Sequence, residues 1–263
     1  MKNKFKLNSS TLLVFILTTG VFGIINTEMG VIGILPLIAE NFQVTVPEAG
    51  WTVSIFALVV AISAPITPLL FSSINRKKVM ILALGLFTLS NIISMMTTNF
   101  TVLLISRALP AFLHPVYVSM AASVSKEKAP KAVAKVFIGV SAGMVLGVPV
   151  TSYIASEVSY SMGMLFFTVV NALVLVATIL FVPSMPVKEK LSYGTQLGVL
   201  KKKVVWYSIL AITLINGALF GFFSYMSDYL KTITGVSYTV ISTMLLIYGL
   251  ANIIGNVIAG KQL

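Results

Sequence analysis

Long apolar stretches alternate with short polar segments along the whole chain. Each apolar stretch has the roughly 20 residues that an α-helix needs to cross the 30 Å hydrocarbon core of a membrane. The pattern of about ten alternating residues that is typical of a membrane barrel is absent. The chain is therefore predicted to form a bundle of membrane-spanning helices. The eight predicted spans are residues 11–39, 51–71, 79–97, 101–124, 134–155, 162–182, 204–229 and 236–259.

Composition supports the same interpretation. Of the 263 residues, 57% are hydrophobic and 10% are charged, whereas about a quarter of the residues of a soluble domain are charged. The mean hydropathy is +1.00. The expected fold class is therefore all-α, in the form of a polytopic membrane protein that faces lipid over most of its surface.

The basic residues predict the orientation of the spans. In an eight-span chain, 16 of the 18 Lys and Arg residues fall on the side of the membrane that holds the N-terminus. Such residues concentrate in cytoplasmic loops, so both termini are expected in the cytoplasm. The exceptions are Lys231, in an opposite loop, and Arg107, inside span 4. Orientation and attraction to anionic lipid account for the net charge of +11, so no nucleic-acid partner is expected.

The longest polar stretch divides the chain into unequal parts. We expect a six-helix bundle in residues 1–182, a cytoplasmic linker in 183–203 and a partial second bundle of two helices in 204–263. Spans 1 and 2 with their loop correspond in layout to spans 7 and 8. Repeated halves of this kind are common in secondary transporters, which bind substrate near the middle of the membrane between them.

Four segments of the chain resemble a known family. They are 26–29 with 33–36 in span 1, the loop 68–78, Arg107 with Ala111, His114 and Pro115 in span 4, and Gly139, Gly143, Gly147 and Pro149 in span 5. The chain resembles the major facilitator superfamily and, within it, the bacterial drug/proton antiporters close to the arabinose, sugar and purine-ribonucleoside efflux members. In the loop, Ser72 stands where that family usually has Asp.

The resemblance implies a function as well as a fold. It implies a major-facilitator-type bundle in a bacterial inner (plasma) membrane, exporting a drug, sugar or nucleoside-like molecule in exchange for protons by alternating access. No cofactor is expected, and the partners are the small-molecule substrate, protons and lipid. The chain corresponds to the first eight of the family's twelve helices, so a chain truncated after helix 8 is expected.

Glu28 and Arg107 are the candidates with the strongest physical argument. An ionised group in the middle of a bilayer costs several kcal/mol and normally faces the bundle interior. At helical rise, Glu28 is roughly 15 Å and Arg107 roughly 9 Å from the outer ends of their spans, so the two are expected to meet or share a cavity. One interpretation is a structural salt bridge. The other is that Glu28 binds a proton or a cationic group of the substrate, with His114 as a further candidate or as a packing residue.

Other residues have both functional and structural interpretations. Asn26, Asn216 and Tyr225 are candidate polar groups of a cavity. The glycines of span 5 fit close helix packing as well as function, and Pro149 predicts a kink. Arg76 and Lys77 are either topology anchors or part of a gate. Four aromatic residues are candidates for apolar contacts in the cavity, with packing as the alternative: Phe22, Phe112, Phe220 and Phe223.

Competing classes of function are weakened by missing residues. With one histidine and no cysteine, the chain lacks the HExxH sequence, which argues against an intramembrane enzyme and against a metal site. It also lacks the phosphate-binding sequence GxxxxGK[ST] of an ATP-driven pump. A passive channel and a non-transporting fragment or scaffold remain as alternatives.

Overall fold

The computed structural model describes residues 9–128, 136, 138–186 and 201–262, with side chains from Thr11 to Ala121, at 136, and over 138–186 and 201–251. Within these residues the regular elements are all helical, and no strand occurs. In the described part of the chain, seven helical segments are long and apolar enough to cross a membrane. The expected all-α fold of a polytopic membrane protein is confirmed.

Span 1 is interrupted near its middle. It consists of α1 (Ser9–Met29), a 3₁₀ segment (Gly30–Ile34) and α2 (Leu35–Phe42). Pro36 explains the change, because proline has no N–H to donate to the carbonyl of Ile32 and its ring crowds that carbonyl. The sequence predicted one continuous helix here, and the interruption leaves the last carbonyls of α1 without helical partners.

Span 2 is also broken by proline. It contains α3 (Val46–Ala49), α4 (Trp51–Ser63) and α5 (Thr67–Leu70). The chain turns between α4 and α5, where Pro65 and Pro68 each remove one helical hydrogen bond. The predicted uninterrupted helix over 51–71 is therefore wrong at this point.

Spans 3 and 4 form an antiparallel pair. Span 3 is α6 (Arg76–Met96), and span 4 is divided into α7 (Phe100–Ala111) and α8 (His114–Lys128). The sequence predicted a single helix over 101–124. The break falls where Pro115 cannot bond to the carbonyl of Ala111.

Span 5 contains a widened helical turn. A π-helical segment (Gly143–Gly147) leads into α9 (Val148–Glu157), and span 6 is α10 (Tyr160–Phe181). Pro149, the second residue of α9, lacks the N–H that would bond to Val145, which accounts for the wide turn. The kink predicted at Pro149 therefore takes the form of a π turn before it.

Spans 7 and 8 are long helices, α11 (Lys203–Thr232) and α12 (Tyr238–Gln262). The part of α12 whose side chains are described, Tyr238–Ala251, is apolar. Of the predicted linker, residues 187–200 lie outside the described part of the chain. The division into three domains therefore stays a prediction.

Span 1 is the central helix of the first six spans. α10 packs along α6 and against α1, α7 packs against α4 and α6, and α9 packs against the 3₁₀ segment. In the most apolar 18-residue stretch of each span, the buried share is 78% for span 1 and 28–50% for spans 2 to 6. A core of this kind is filled by large side chains: Leu17, Ile24, Phe56, Phe87, Tyr117 and Phe167.

Spans 7 and 8 contact this bundle mainly near the loop that joins them. α11 packs against α2 and the 3₁₀ segment, and α12 packs against α9 and the π turn. On α11, Phe223, Ser224 and Ser227 are buried, whereas residues 206–219 are all exposed. The two helices therefore close against the bundle at the loop end, and α11 separates from it toward its own N-terminus.

Candidate functional site

Glu28 and His114 form a close pair in the interior of the spans. Glu28 is the penultimate residue of α1, and His114 is the first residue of α8. His114 Nε2 lies 3.1 Å from Glu28 Oε2, and the two side chains are 12% and 17% exposed. The Phe56 ring meets the imidazole edge-on, with 5.9 Å between centroids. The break in span 4 thus places an imidazole beside the carboxylate.

Arg107 binds the main chain of two neighbouring spans. Its Nε donates to Thr52 O at 3.0 Å, Nη1 to Thr27 O at 2.9 Å and Nη2 to Glu28 O at 3.3 Å. Two of these carbonyls belong to the last turn of α1, where helical partners are missing and the helix end is partially negative. The predicted approach of Arg107 to Glu28 is therefore made through the backbone, and the Glu28 carboxylate pairs with His114.

A buried layer of hydrogen bonds supports this arrangement. Thr27 Oγ1 donates to Gly23 O at 3.0 Å and accepts from Asn91 Nδ2 at 3.2 Å and Asn171 Nδ2 at 3.0 Å. It joins spans 1, 3 and 6 directly below the carbonyls that bind Arg107. Asn91 and Asn171 were not among the residues predicted from the sequence. The signal was a single amide side chain within each of the uncharged predicted spans 3 and 6.

Asn26 is brought to the interface between spans 1 and 5. It is fully buried, its side chain contacts Gly147 in the π turn, and neither amide atom has a hydrogen-bond partner among the described residues. The candidate is therefore interior, but it lies between helices and is separate from the Glu28 pair.

The glycines of span 5 form the rest of this interface. Gly139 lies against the main chain of Thr18, and a Cβ at Gly143 would be 2.8 Å from Ile25 Cγ2. Neighbouring helices reach such a short separation only through small residues. The geometry supports the packing interpretation of these glycines.

A cavity lies between spans 1, 5, 7 and 8. Its volume is about 340 Å³, and it is lined in part by Met29, Ser141, Met144, Asn216, Phe220 and Tyr248. Of the predicted cavity residues, Asn216, Phe220 and Phe223 line it. Sequence analysis missed Ser141 and Tyr248, which are isolated polar groups in spans 5 and 8.

Three other candidates lie elsewhere. The Tyr225 hydroxyl would be 2.6 Å from a Cβ at Gly50, so this side chain contacts the start of α4 at the loop end. Phe22 is half-buried beside Gly139 and Gly143. Phe112, in the break of span 4, is 42% exposed.

Arg76 and Lys77 are the first two residues of α6 and are held to the end of span 6 and the residues that follow it. Lys77 Nζ donates to Ile179 O at 2.9 Å, and the main-chain N–H of Arg76 donates to Met185 O at 3.1 Å. Asn75 caps α6 through Lys77 N and donates to Ser184 Oγ at 2.7 Å. These hydrogen bonds thus connect the start of span 3 with the end of span 6 and the start of the predicted linker.

The described residues contain no group of three or more His, Asp or Glu side chains that could hold a metal ion. The fold and the interior polar site define a polytopic helical membrane protein. The sequence matches the Major Facilitator Superfamily over residues 12–262, and the chain belongs to this family.

Curated relatives are similar over nearly the whole chain. It is 30% identical over 250 residues to the inner membrane transport protein YdhP of Escherichia coli K12, covering 93% of this chain and 64% of YdhP. The putative transporter AraJ of the same strain is 28% identical with the same coverage. The uncharacterized MFS-type transporter YtbD of Bacillus subtilis 168 is 30% identical over 251 residues, covering 93% and 63%. The chain thus spans just under two thirds of the length of these relatives, whose names are those of transporters.

Solved transporters share the fold. The nucleoside transporter NupG aligns with a TM-score of 0.72 at 14% identity, covering 94% of this chain and 65% of NupG. A bacterial homologue of the human lysosomal transporter Spinster aligns with a TM-score of 0.69 at 17% identity, covering 94% and 61%.

Proposed function

We propose that this chain acts in secondary active transport, exporting a small molecule in exchange for protons by alternating access. The observation that carries the proposal is the Glu28–His114 pair. The residue after Glu28, Met29, lines the cavity. The drug, sugar and nucleoside-like molecules implied by the family resemblance are the substrate classes to be compared.

The pair has the properties of a proton-exchange site. A carboxylate at this depth is energetically unfavourable unless it is paired or reaches a water-filled cavity. Glu28 is paired with His114, and both side chains are slightly exposed. One proton added to Glu28 removes its negative charge and thereby changes the contact with His114. Arg107 keeps its main-chain partners in either state, so protonation changes the pair without breaking the attachment of span 4 to span 1.

Coupling follows from the position of this pair in span 1. Glu28 faces the interior of the six-span bundle, whereas Met29 faces the cavity between spans 1, 5, 7 and 8. A proton and a substrate therefore act on adjacent residues at the end of α1. Exchange requires only that both bias the same two conformations of the bundle.

The arrangement of spans 7 and 8 supports alternating access. They are closed against the bundle at the loop end and separated from it at the N-terminal end of α11. With the orientation predicted from the basic residues, this is a state open toward the cytoplasm. The chain is a multi-pass membrane protein, and we place both termini in the cytoplasm of a bacterial-type plasma membrane.

The proposal is tested with the 263-residue chain in liposomes that carry a pH gradient. Drug, sugar and nucleoside compounds are added one at a time, and collapse of the gradient is measured with a pH-sensitive dye. At least one compound is expected to collapse the gradient with wild-type protein and not with Glu28→Gln. The matched control is Glu48→Gln, which removes an exposed carboxylate of a capping box and in which Gln can still cap.

Other outcomes contradict the proposal in different ways. Solute flux that is unchanged when the gradient is dissipated would indicate a passive channel. A folded chain that exchanges none of the compounds would favour a non-transporting scaffold. Proton-coupled flux that persists in Glu28→Gln would remove Glu28 from the mechanism.

A further inference from the structure

The cavity between spans 1, 5, 7 and 8 has a volume suited to a small organic molecule. At about 340 Å³, it lies at the lower end of the range of ligand pockets. It is bounded by the π turn of span 5 on one side and by α11 and α12 on the other. Its walls therefore belong to both parts of the chain that would move relative to each other during transport.

The described residues that line the cavity are all uncharged. Among them there is no Asp, Glu, Lys, Arg or His. The ionisable groups of the adjacent interior point away from it, since Glu28 contacts His114 and Arg107 binds main-chain carbonyls. A charged molecule in the cavity would lose water without gaining a counter-charge, which is strongly unfavourable.

The aromatic and sulfur-containing side chains form flat, polarisable walls. Phe223 and Tyr248 are stacked with 4.8 Å between centroids and 22° between planes. Phe220, Met29 and Met144 complete these walls. Aromatic faces and thioethers favour contact with another aromatic ring.

Polar groups in the cavity are few and separated. They are Ser141, Asn216 and the Tyr248 hydroxyl. Asn216 Nδ2 donates to Ile212 O at 2.9 Å, which leaves its second N–H and its Oδ1 for a ligand. A sugar, whose hydroxyls each need a partner, would be left with unsatisfied groups, but one amide or hydroxyl can be satisfied.

We propose that this cavity binds an uncharged, planar aromatic molecule with one or two hydrogen-bonding groups, and that Asn216 recognises the polar group while Phe223 and Tyr248 contact the ring. The inference rests on the proposed transport function, because it names the substrate class of that transporter. It selects an aromatic, neutral compound over a sugar or an organic ion.

The test is a binding measurement that needs no proton gradient. The full chain in lipid nanodiscs is titrated with tritiated 2-naphthamide, and unlabelled competitors of the same ring system are added: 2-naphthoate and 2-naphthylmethylammonium. Methyl glucoside represents the sugars. Saturable naphthamide binding is expected, with both charged analogues weaker by about tenfold or more and no competition by the glucoside.

Substitutions locate the binding. Asn216→Leu and Tyr248→Leu are each expected to weaken naphthamide binding by about tenfold. Thr213→Leu is the matched control, because Thr213 is an exposed residue of the same helix outside the cavity lining. Melting temperatures of the three variants show that each is folded.

Several results would overturn the inference. They are naphthamide failing to bind to folded protein, a charged analogue binding as tightly as naphthamide, competition by the glucoside, or Asn216→Leu behaving like Thr213→Leu. Failure of the transport proposal can be distinguished from failure of this inference. If naphthamide binds but proton-coupled flux is unaffected by Glu28→Gln, this inference stands and the proposed mechanism is removed. If flux depends on Glu28 but naphthamide does not bind, only the proposed substrate class is removed.

Discussion

Arg107 is explained by the residues around the end of a helix. α1 ends at Met29 and the chain continues as a 3₁₀ segment, so the carbonyls of Thr27 and Glu28 lack the partners that a continuing helix would supply. A guanidinium has five donors in a rigid plane and can bind several such oxygens at once. Arg107 therefore acts as a C-terminal cap that joins spans 1, 2 and 4.

The role of Arg107 predicts a graded loss of stability. Arg107→Ala removes three hydrogen bonds from a charged donor and should lower the free energy of unfolding by about 3 kcal/mol or more. Arg107→Lys keeps the charge but not the planar fork, so a smaller loss is expected. Lys78→Ala, an exposed cation at the start of span 3, is the control. Equal melting temperatures for all three variants in detergent would argue against this role.

Glu28 is expected to differ from Arg107 in its effect on stability. Because Arg107 binds carbonyl oxygens, Glu28→Gln does not leave an unpaired guanidinium. The loss is limited to the contact with His114, so we expect a smaller decrease than the roughly 3 kcal/mol expected for Arg107→Ala.

A double-mutant cycle measures this pair. Glu28→Gln and His114→Gln should each affect stability, and the double variant should show a coupling energy of about 0.5 kcal/mol or more. Glu28→Gln combined with Glu48→Gln should be additive, since those residues are not in contact. Additivity in both cycles would show that the Glu28–His114 contact contributes nothing to stability.

At the scale of elements, prolines and glycines determine how the spans meet. A proline lies in or shortly after the interruptions of spans 1, 4 and 5 and the one between α4 and α5 of span 2. The interrupted segments of spans 1 and 5 pack against each other. A widened π turn and a narrow 3₁₀ segment are both less stable than α-helix. If the proposed transport cycle requires spans 1 and 5 to shift against each other, this shared interface is where we expect the shift.

A glycine substitution at this interface and one away from it are expected to have opposite effects on stability. Gly143→Ala places a methyl group 2.8 Å from Ile25 Cγ2, and overpacking of this kind costs about 1–3 kcal/mol. At Gly85, in α6, an added Cβ meets nothing within 4 Å, so Gly85→Ala should stabilise its helix by about 0.5–1 kcal/mol. Thermal unfolding in detergent measures both. A melting temperature for Gly143→Ala at or above that of Gly85→Ala would contradict the packing interpretation.

At the scale of the molecule, closure at the loop end can be measured directly. Tyr225 contacts Gly50, and the chain contains no cysteine. A Gly50→Cys, Tyr225→Cys pair should therefore react with a short bifunctional thiol reagent, and the cross-linked protein should lose transport while keeping naphthamide binding.

The control pair combines Gly50→Cys with Tyr207→Cys. Tyr207 lies 18 residues before Tyr225 on α11, or about 27 Å at helical rise, so no cross-link is expected. Equal yields for the two pairs would mean that α11 does not close at the loop end.

The predicted orientation is tested by labelling single cysteines at Gln43 and Lys128. These positions follow span 1 and span 4, and an even number of crossings separates Lys128 from the N-terminus. An impermeant thiol reagent added outside intact cells should label Gln43→Cys and not Lys128→Cys. Labelling of both from the same side would contradict the eight-span arrangement.

The sequence alone determined the helical class, the positions of the spans and the candidates Glu28, Arg107 and His114. These features are local, because span length is matched to bilayer thickness and a charge inside an apolar run is visible without any partner. Even the glycine spacing in span 5 is a local pattern. It predicted a close helix contact, and the structure has one.

The partners of those residues were decided by the tertiary structure. Depth along a span showed that Glu28 and Arg107 lie at similar levels, but not which way each side chain faces. That direction depends on the helix breaks at residues 30–34 and 112–113, which free the carbonyls bound by Arg107 and turn His114 toward the carboxylate. The cavity has the same origin: its walls come from four spans far apart in sequence, so its neutral, aromatic lining exists only once those spans are packed together.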